Sequence, residues 1–202
     1  MFIEQLPSFL RVIYRNATWR KNHKEKIVYL TFDDGPIPEV TPWVLDILDF
    51  YGVKATFFCV GENVMKHPDV YQEVLRRGHR TGNHTFNHLR GFFTSSGSYL
   101  KNIEKASRYI DSDLFRPPHG ELRKLQYFEV RKRNKVILWD VISRDYDKDV
   151  PENKVLNIVK KYTRNGSIIV FHDSLKAERN MRYAMPKAIE FLLQEGYQFK
   201  TL

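Results

Sequence analysis

Ile27-Val28-Tyr29-Leu30-Thr31-Phe32-Asp33-Asp34-Gly35-Pro36 changes character at one peptide bond. Its first six residues are β-branched, aromatic or aliphatic, which reads as a strand buried on both faces, the habit of parallel sheets covered by helices. The next two are carboxylates, and Gly35-Pro36 turns the chain straight after them. Outward from this stretch, strand and helix patterns keep alternating. Thr41 is placed to cap a helix with Pro42 at its first position, Trp43, Val44, Ile47, Leu48 and Tyr51 on one face, and Gly52 as its stop. Residues 55–60 read as a second strand. The helical stretch after it ends at Gly78 and breaks at His67-Pro68, because a residue before proline avoids the helical region. Residues 79–83 follow as a short strand. Ser98 caps a helix to residue 110, 114–115 is a short strand, 122–133 a helix rich in Arg and Lys, and 135–141 a strand. Pro151 starts the next helix, 167–171 is a buried strand, Pro186 opens a helix to residue 195, and 197–200 ends the pattern. About seven strands alternating with about six helices predict an α/β fold, parallel strands inside and helices outside.

The whole chain is consistent with one such domain. Its 202 residues are 42% hydrophobic and 28% charged, enough apolar material for one core and too much for chain-wide disorder. Lys and Arg outnumber Asp and Glu by 33 to 24, a net charge of +9, which suits polyanionic partners. Nucleic acid is not the expected one, since no recognition motif or aromatic stacking surface accompanies the charge. The single cysteine, Cys59, excludes a disulfide framework and any Cys-rich zinc module, so a metal site has to use His and carboxylate. No run approaches the ~18 apolar residues of a membrane span.

The domain is expected over residues 27–202, preceded by an amphipathic basic segment at 1–26. Phe2, Ile3, Leu6, Phe9, Leu10, Ile13 and Tyr14 fall at helical spacing, with Arg11, Arg15, Arg20, Lys21, Lys24 and Lys26 among and after them. Packing on the domain is the first expectation. The alternative is peripheral membrane contact through residues 1–20. No secretion signal is visible, so the expected location is the cytoplasm or the inner membrane face.

Reactive side chains fall where the predicted strands end. Asp33 and Asp34 follow the first strand, His84 and His88 the third, Arg116 the fourth and Asp145 the fifth, while His172 ends the sixth. In a barrel of parallel strands those ends share one face, where ligands and catalytic groups collect. His84 and His88 stand at i and i+4, which on one helical turn aims both rings at the same atom. Adjacent carboxylates leaving a buried strand need a counter-charge. In the combined reading, one carboxylate and two imidazoles bind a metal facially, and the other carboxylate acts as a base. Arg116, stiffened by Pro117-Pro118, is held against a carboxylate. Each piece alone has a plain alternative: a chance His pair, a turn-forming Asp-Gly, a surface arginine.

Together these segments resemble the polysaccharide deacetylases of carbohydrate esterase family 4. The resemblance rests on Thr31-Phe32-Asp33-Asp34-Gly35-Pro36, on Asn83-His84-Thr85-Phe86-Asn87-His88 and on Arg116-Pro117-Pro118-His119-Gly120. Residues 139–146 and 168–173 resemble that family's fourth and fifth motifs, in the family's order. The resemblance implies a distorted, TIM-barrel-like (β/α) barrel of about seven parallel strands. It also implies release of acetate from the N-acetyl groups of an amino-sugar glycan. Asp34, His84 and His88 would hold a divalent ion, Zn²⁺ first, with Co, Ni or Mn as alternatives. Asp33 would be the general base paired with Arg116, and His172 the general acid tuned by Asp145. The backbone N–H of His119 would face the oxyanion, and Tyr146, Ile169 and Phe171 would line the acetate methyl pocket. The chain departs from the family pattern at His119, commonly Tyr, and at Tyr146, commonly Trp. A monomer acting on an N-acetylated glycan is expected. Two alternatives are hydrolysis of another carbon-nitrogen bond on the same fold, and a catalytically silent carbohydrate-binding protein, against which the intact acid-base set argues.

Overall fold

A computed structural model describes residue 12, residues 14–21 and residues 24–202. Strand β1 (Ile27–Asp33) is buried at every residue and sits mid-sheet, parallel to β2 (Thr56–Cys59) on one side and to β7 (Ile168–His172) on the other. Next to β2 come β3 (Arg80–Asn83), β4 (Leu114–Phe115) and β5 (Lys135–Val136), and beyond β7 lies β6 (Val141–Ile142). β8 (Gln198–Phe199) pairs with the first residues of β1. Every pairing between these strands is parallel, so strands that are consecutive in sequence and paired are joined by a crossover through helix. The helices are α1 (Thr41–Phe50), α2 (Gly61–Lys66), α3 (Pro68–Arg76), α4 (Ser96–Ala106), α5 (Lys124–Val130), α6 (Glu152–Tyr162) and α7 (Glu178–Gln194).

The curl of the sheet follows from its two ends. β5 and β6 are pieces of one stretch, 135–142, which leaves the β4 edge and arrives at the β7 edge. The distorted barrel expected from the sequence is therefore present. The strand expected over 135–141 is split, because its middle bonds elsewhere. Thr18 donates its N–H to Val136 and accepts from Leu138, while Asp140, fully buried, takes Arg164 Nη2 at 2.7 Å and Ser167 Oγ at 2.8 Å. Residues 18–21 thus fill the seam where β5 and β7 diverge. Tyr14, Ala17 and Trp19 are buried in the cluster that holds Tyr99, Phe115 and Tyr127, so residues 14–21 belong to the same body as the barrel. The amphipathic pattern over residues 2–13 lies outside the described residues, apart from residue 12.

Several helix boundaries differ from expectation: α4 ends at Ala106 rather than residue 110, and α5 spans Lys124–Val130 rather than 122–133. Ser95, not Ser98, caps α4, its Oγ accepting from the Ser98 N–H. Thr41 lies inside α1, after Val40, and its hydroxyl bonds to Asp173. α7 starts at Glu178 and carries Pro186 in its interior. An interior proline costs about 3 kcal/mol, but Met181, Ala184, Met185, Ala188, Ile189 and Leu192 bury one continuous face against the main core, which outweighs it. No helix among the described residues is long and apolar enough to cross a membrane.

Alternation along β1 decides where the chemistry points. Val28, Leu30 and Phe32 face the helices and join the main core, with Phe32 stacked on Phe57 at 4.9 Å. Ile27 and Tyr29 belong instead to the barrel interior with Phe58, Leu114, Ile137 and Ile168. Thr31 and Asp33 continue that inward face toward the carboxyl ends of the strands.

Candidate active site

Asp33 ends β1 and Asp34 begins the turn, in the left-handed region at φ 86°. A non-glycine residue holds that conformation only when its surroundings fix it. Here Asn63 donates from Nδ2 to the Asp34 carbonyl at 2.8 Å, and Gly35 donates its N–H to Asp173 Oδ1 at 3.1 Å. Thr41 Oγ1 donates to Asp173 Oδ2 at 2.7 Å, and the Asp173 N–H closes on the Asp33 carbonyl. A Cβ at Gly35 would lie 1.9 Å from Asp173 Oδ2, so only glycine fits there. Burial pushes the Asp173 carboxyl up to about 8, the Asp34 charge adds to the rise, and the bonds from Thr41 and Gly35 oppose it.

Arg116 follows β4 and is closed off from solvent within the barrel. Its Nη1 donates to Asp33 Oδ1 at 2.6 Å and to Thr31 Oγ1 at 2.8 Å, Nη2 reaches the Leu138 carbonyl at 3.2 Å, and the guanidinium lies 4.0 Å over the Phe58 ring. Burial lowers its pKa and Asp33 counters that. With Oδ1 tied down, Asp33 turns Oδ2 toward His84, 4.0 Å from Nε2.

The two imidazoles converge, though not on a helix as their spacing suggested. His84 to Arg90 is a loop in which Thr85 and His88 take positive φ, 65° and 53°. Asn83 Oδ1 accepts from the Thr85 N–H at 2.8 Å, Thr85 Oγ1 accepts from Leu89 at 3.1 Å, and Asn102 Oδ1 accepts from Phe86 at 2.7 Å. His84 Nδ1 lies 2.8 Å from the Arg116 carbonyl, which only accepts, so Nδ1 carries the proton and Nε2 presents a lone pair. Burial drives the His84 pKa down to about 4, keeping the ring neutral near pH 7. Asp34 Oδ1 stands 3.8 Å from His84 Nε2 and 3.2 Å from His88 Nε2, is buried, and receives no hydrogen bond. One ligand atom from each of the three residues falls within 4.8 Å of the others. An orphaned carboxylate oxygen facing two ring nitrogens is the donor set of a divalent cation.

Across the cavity, His172 ends β7 and meets Asp145. Asp145 Oδ1 lies 2.7 Å from His172 Nδ1, and Oδ2 accepts the His172 N–H at 2.8 Å. Asp145 is itself buried, with its carbonyl held by Asn180 Nδ2. Burial alone would lower the His172 pKa, but the Asp145 charge and hydrogen bond, with Asp34 and Asp33 beyond, push it up to about 9. The ring is an imidazolium at neutral pH.

These groups open on a cavity of about 390 Å³. Its walls include Trp139, Ile142, Tyr146 and His119, with Lys176 at the β7 side. Tyr146 meets His172 edge-on at 4.9 Å, and His119, at φ 58°, meets His88 edge-on at 4.9 Å. Burial, then the neighbouring His88, lowers the His119 pKa. Gly120 follows at φ 71°, where a Cβ would lie 2.8 Å from the Trp139 ring.

A model of the polysaccharide deacetylase family matches residues 20–135. The chain belongs to that family. It is 33% identical over 194 residues to a peptidoglycan-N-acetylglucosamine deacetylase of Bacillus cereus, covering 92% of this chain and 91% of that protein. It is 34% identical over 187 residues to the peptidoglycan-N-acetylmuramic acid deacetylase PdaC of Bacillus subtilis, covering 88% of this chain but 38% of that longer protein. A crystal structure of a peptidoglycan N-acetylglucosamine deacetylase in complex with 4-naphthalen-1-yl-N-oxidanyl-benzamide superposes with a TM-score of 0.88 at 30% identity, covering 98% of this chain and 95% of that one.

In this member of the family, Asp33, Asp34, His84, His88, Arg116, Asp145 and His172 surround one cavity or support a residue that lines it. Ile169 and Phe171 do not join them. Both are fully buried in the main core under the helices, because residues alternate along β7 and His172 shares its face with Val170 and Ile168. The apolar wall comes instead from Trp139, Ile142 and Tyr146. Sequence pattern alone gives no role to Trp139, Ile142, Lys176 or the turn-holding Asp173. Asp173 had a readable signal, a second carboxylate beside His172 with a glycine turn needing an acceptor, whereas Lys176 had none.

Proposed function

We propose that this protein hydrolyses N-acetyl groups from the amino sugars of a glycan, with a divalent cation held by Asp34, His84 and His88. The observation that carries the reading is the buried, unbonded Asp34 Oδ1 facing two ring nitrogens, with Asp33 on one side and an imidazolium on the other. Zn²⁺ suits two nitrogens and one oxygen, and Co, Ni or Mn are the alternatives. When bound, the cation supplies Lewis-acid polarisation of the acetamide carbonyl and acidifies a water.

The chain's own groups do the rest. Arg116 fixes Asp33 through Oδ1, so Oδ2 is the oxygen that takes the proton of the attacking water. Asp145 holds Nδ1 of His172, leaving the proton on Nε2 for the departing amine. Trp139, Ile142 and Tyr146 give the acetyl methyl a dry wall. The His119 main-chain amide is assigned to the oxyanion. The relatives named for N-acetylglucosamine and N-acetylmuramic acid of peptidoglycan support a bacterial-wall type of glycan as substrate.

The test is acetate release from N-acetylglucosamine oligomers and from peptidoglycan glycan strands, set beside cyclic amides and imides. Acetate from a glycan, abolished in Asp33→Asn, supports the proposal. Turnover confined to a cyclic amide or imide contradicts it.

A further inference from the structure

Lys176 lies on the turn between β7 and α7, exposed, and lines the cavity beside Tyr146 and His172. Its Nζ is 5.4 Å from the Tyr146 ring centroid, a contact that steers the four-carbon stem along the ring and leaves the ammonium at the mouth. The other cationic groups at and behind the cavity are matched. Arg116 meets Asp33, His172 meets Asp145, and Arg144 behind them meets Asp147 at 2.7 Å. Lys176 forms no ion pair among the described residues. The β7 side of the mouth therefore presents an ammonium next to an imidazolium, with Asp147 close enough to feel its charge but not ion-paired with it, in a chain of net charge +9. Such a rim repels cationic substituents and draws in anionic ones.

We propose that Lys176 is a specificity residue that binds an anionic substituent, a carboxylate or a phosphate, on the amino sugar in the cavity or on its neighbour. The natural glycan is then acidic, which rests on the deacetylase reading above and narrows it. An ammonium has three donors and no acceptor, so a hydroxyl satisfies it only weakly and an oxyanion satisfies it in full.

The test compares three ligands: a neutral N-acetylglucosamine tetramer, a glycan strand carrying N-acetylmuramic acid with a free lactyl carboxylate, and an N-acetylglucosamine oligomer bearing a 6-phosphate. Affinities by calorimetry and acetate release are measured for the wild-type protein, Lys176→Met and Lys176→Arg. The wild-type protein is expected to prefer one anionic ligand over the neutral one. Lys176→Met is expected to lower that preference about tenfold, the worth of one charge-assisted bond. Lys176→Arg should retain the preference, and added salt should weaken it. Whichever anionic ligand loses its advantage names the source, carboxylate or phosphate. A wild-type preference unchanged in Lys176→Met, or no wild-type preference at all, overturns the assignment. Because binding is read without turnover, a Lys176-dependent preference with no acetate release counts against the deacetylase reading alone.

Discussion

Arg116 places Nη1 2.6 Å from Asp33 Oδ1 with both side chains shut away from solvent. Removing one member of such a pair strands the other charge in the barrel and costs about 3–5 kcal/mol. Arg116→Met is therefore expected to lose stability of that order by urea denaturation, and to lose acetate release even at temperatures where it remains folded. Full activity in a folded Arg116→Met would show that Asp33 needs no fixing.

His172 carries a pKa raised from 6.5 to about 9, and its proton is the one offered to the leaving amine. The folded value lies above the unfolded one, so the stabilisation is fully present below about pH 6.5 and disappears as pH rises through about 9. In metal-depleted protein, stability is expected to fall between those limits by on the order of 3 kcal/mol, measured by denaturant titration at several pH values. Asp145→Asn should flatten that fall and move the alkaline limb of the rate profile to lower pH.

Asp173 takes donors from Gly35 and Thr41 and so holds the turn that presents both Asp33 and Asp34. Asp173→Ala leaves two buried donors unmet at about 1–3 kcal/mol each, and is expected to weaken metal affinity ~10–100-fold as other supporting residues of metal sites do. Gly35→Ala should resemble it, since the added carbon would meet the Asp173 carboxylate. Calorimetric metal titration of both variants checks this.

The two faces of β7 and its neighbour separate catalysis from folding. Ile142→Ala, on the cavity wall, is expected to lower kcat/KM by roughly 10-fold with little change in stability. Phe171→Ala, in the helix-side core, is expected to cost about 3–5 kcal/mol of stability. Denaturation and kinetics on the same two proteins distinguish the faces.

What could be read from the sequence was local. Asp33, Asp34, His84, His88, Arg116 and His172 each stand within a few residues of a buried strand's end, and parallel topology carries such ends to one face. What could not be read depended on tertiary partners. β7 is apolar on both faces, so nothing in Ile168 to Phe171 marks which side chains turn inward, and the pocket position that the family resemblance implies for Ile169 and Phe171 falls on the helix-side face. The strand at 135–141 splits because Asp140 answers Arg164 and Thr18 answers Val136, pairings distant in sequence. The His84 and His88 spacing looked helical, yet positive φ at Thr85 and His88 and the amide of Asn102 shape a loop that does the same work.

The measurement that bears most directly on the central claim is a metal titration read two ways. Metal-depleted protein receives Zn²⁺ in steps, while bound metal and acetate release from an N-acetylglucosamine oligomer are followed together. One equivalent bound, with activity rising in proportion and both lost in His88→Ala, is the predicted result. Acetate release that persists without metal, or full metal binding in His88→Ala, would contradict the account.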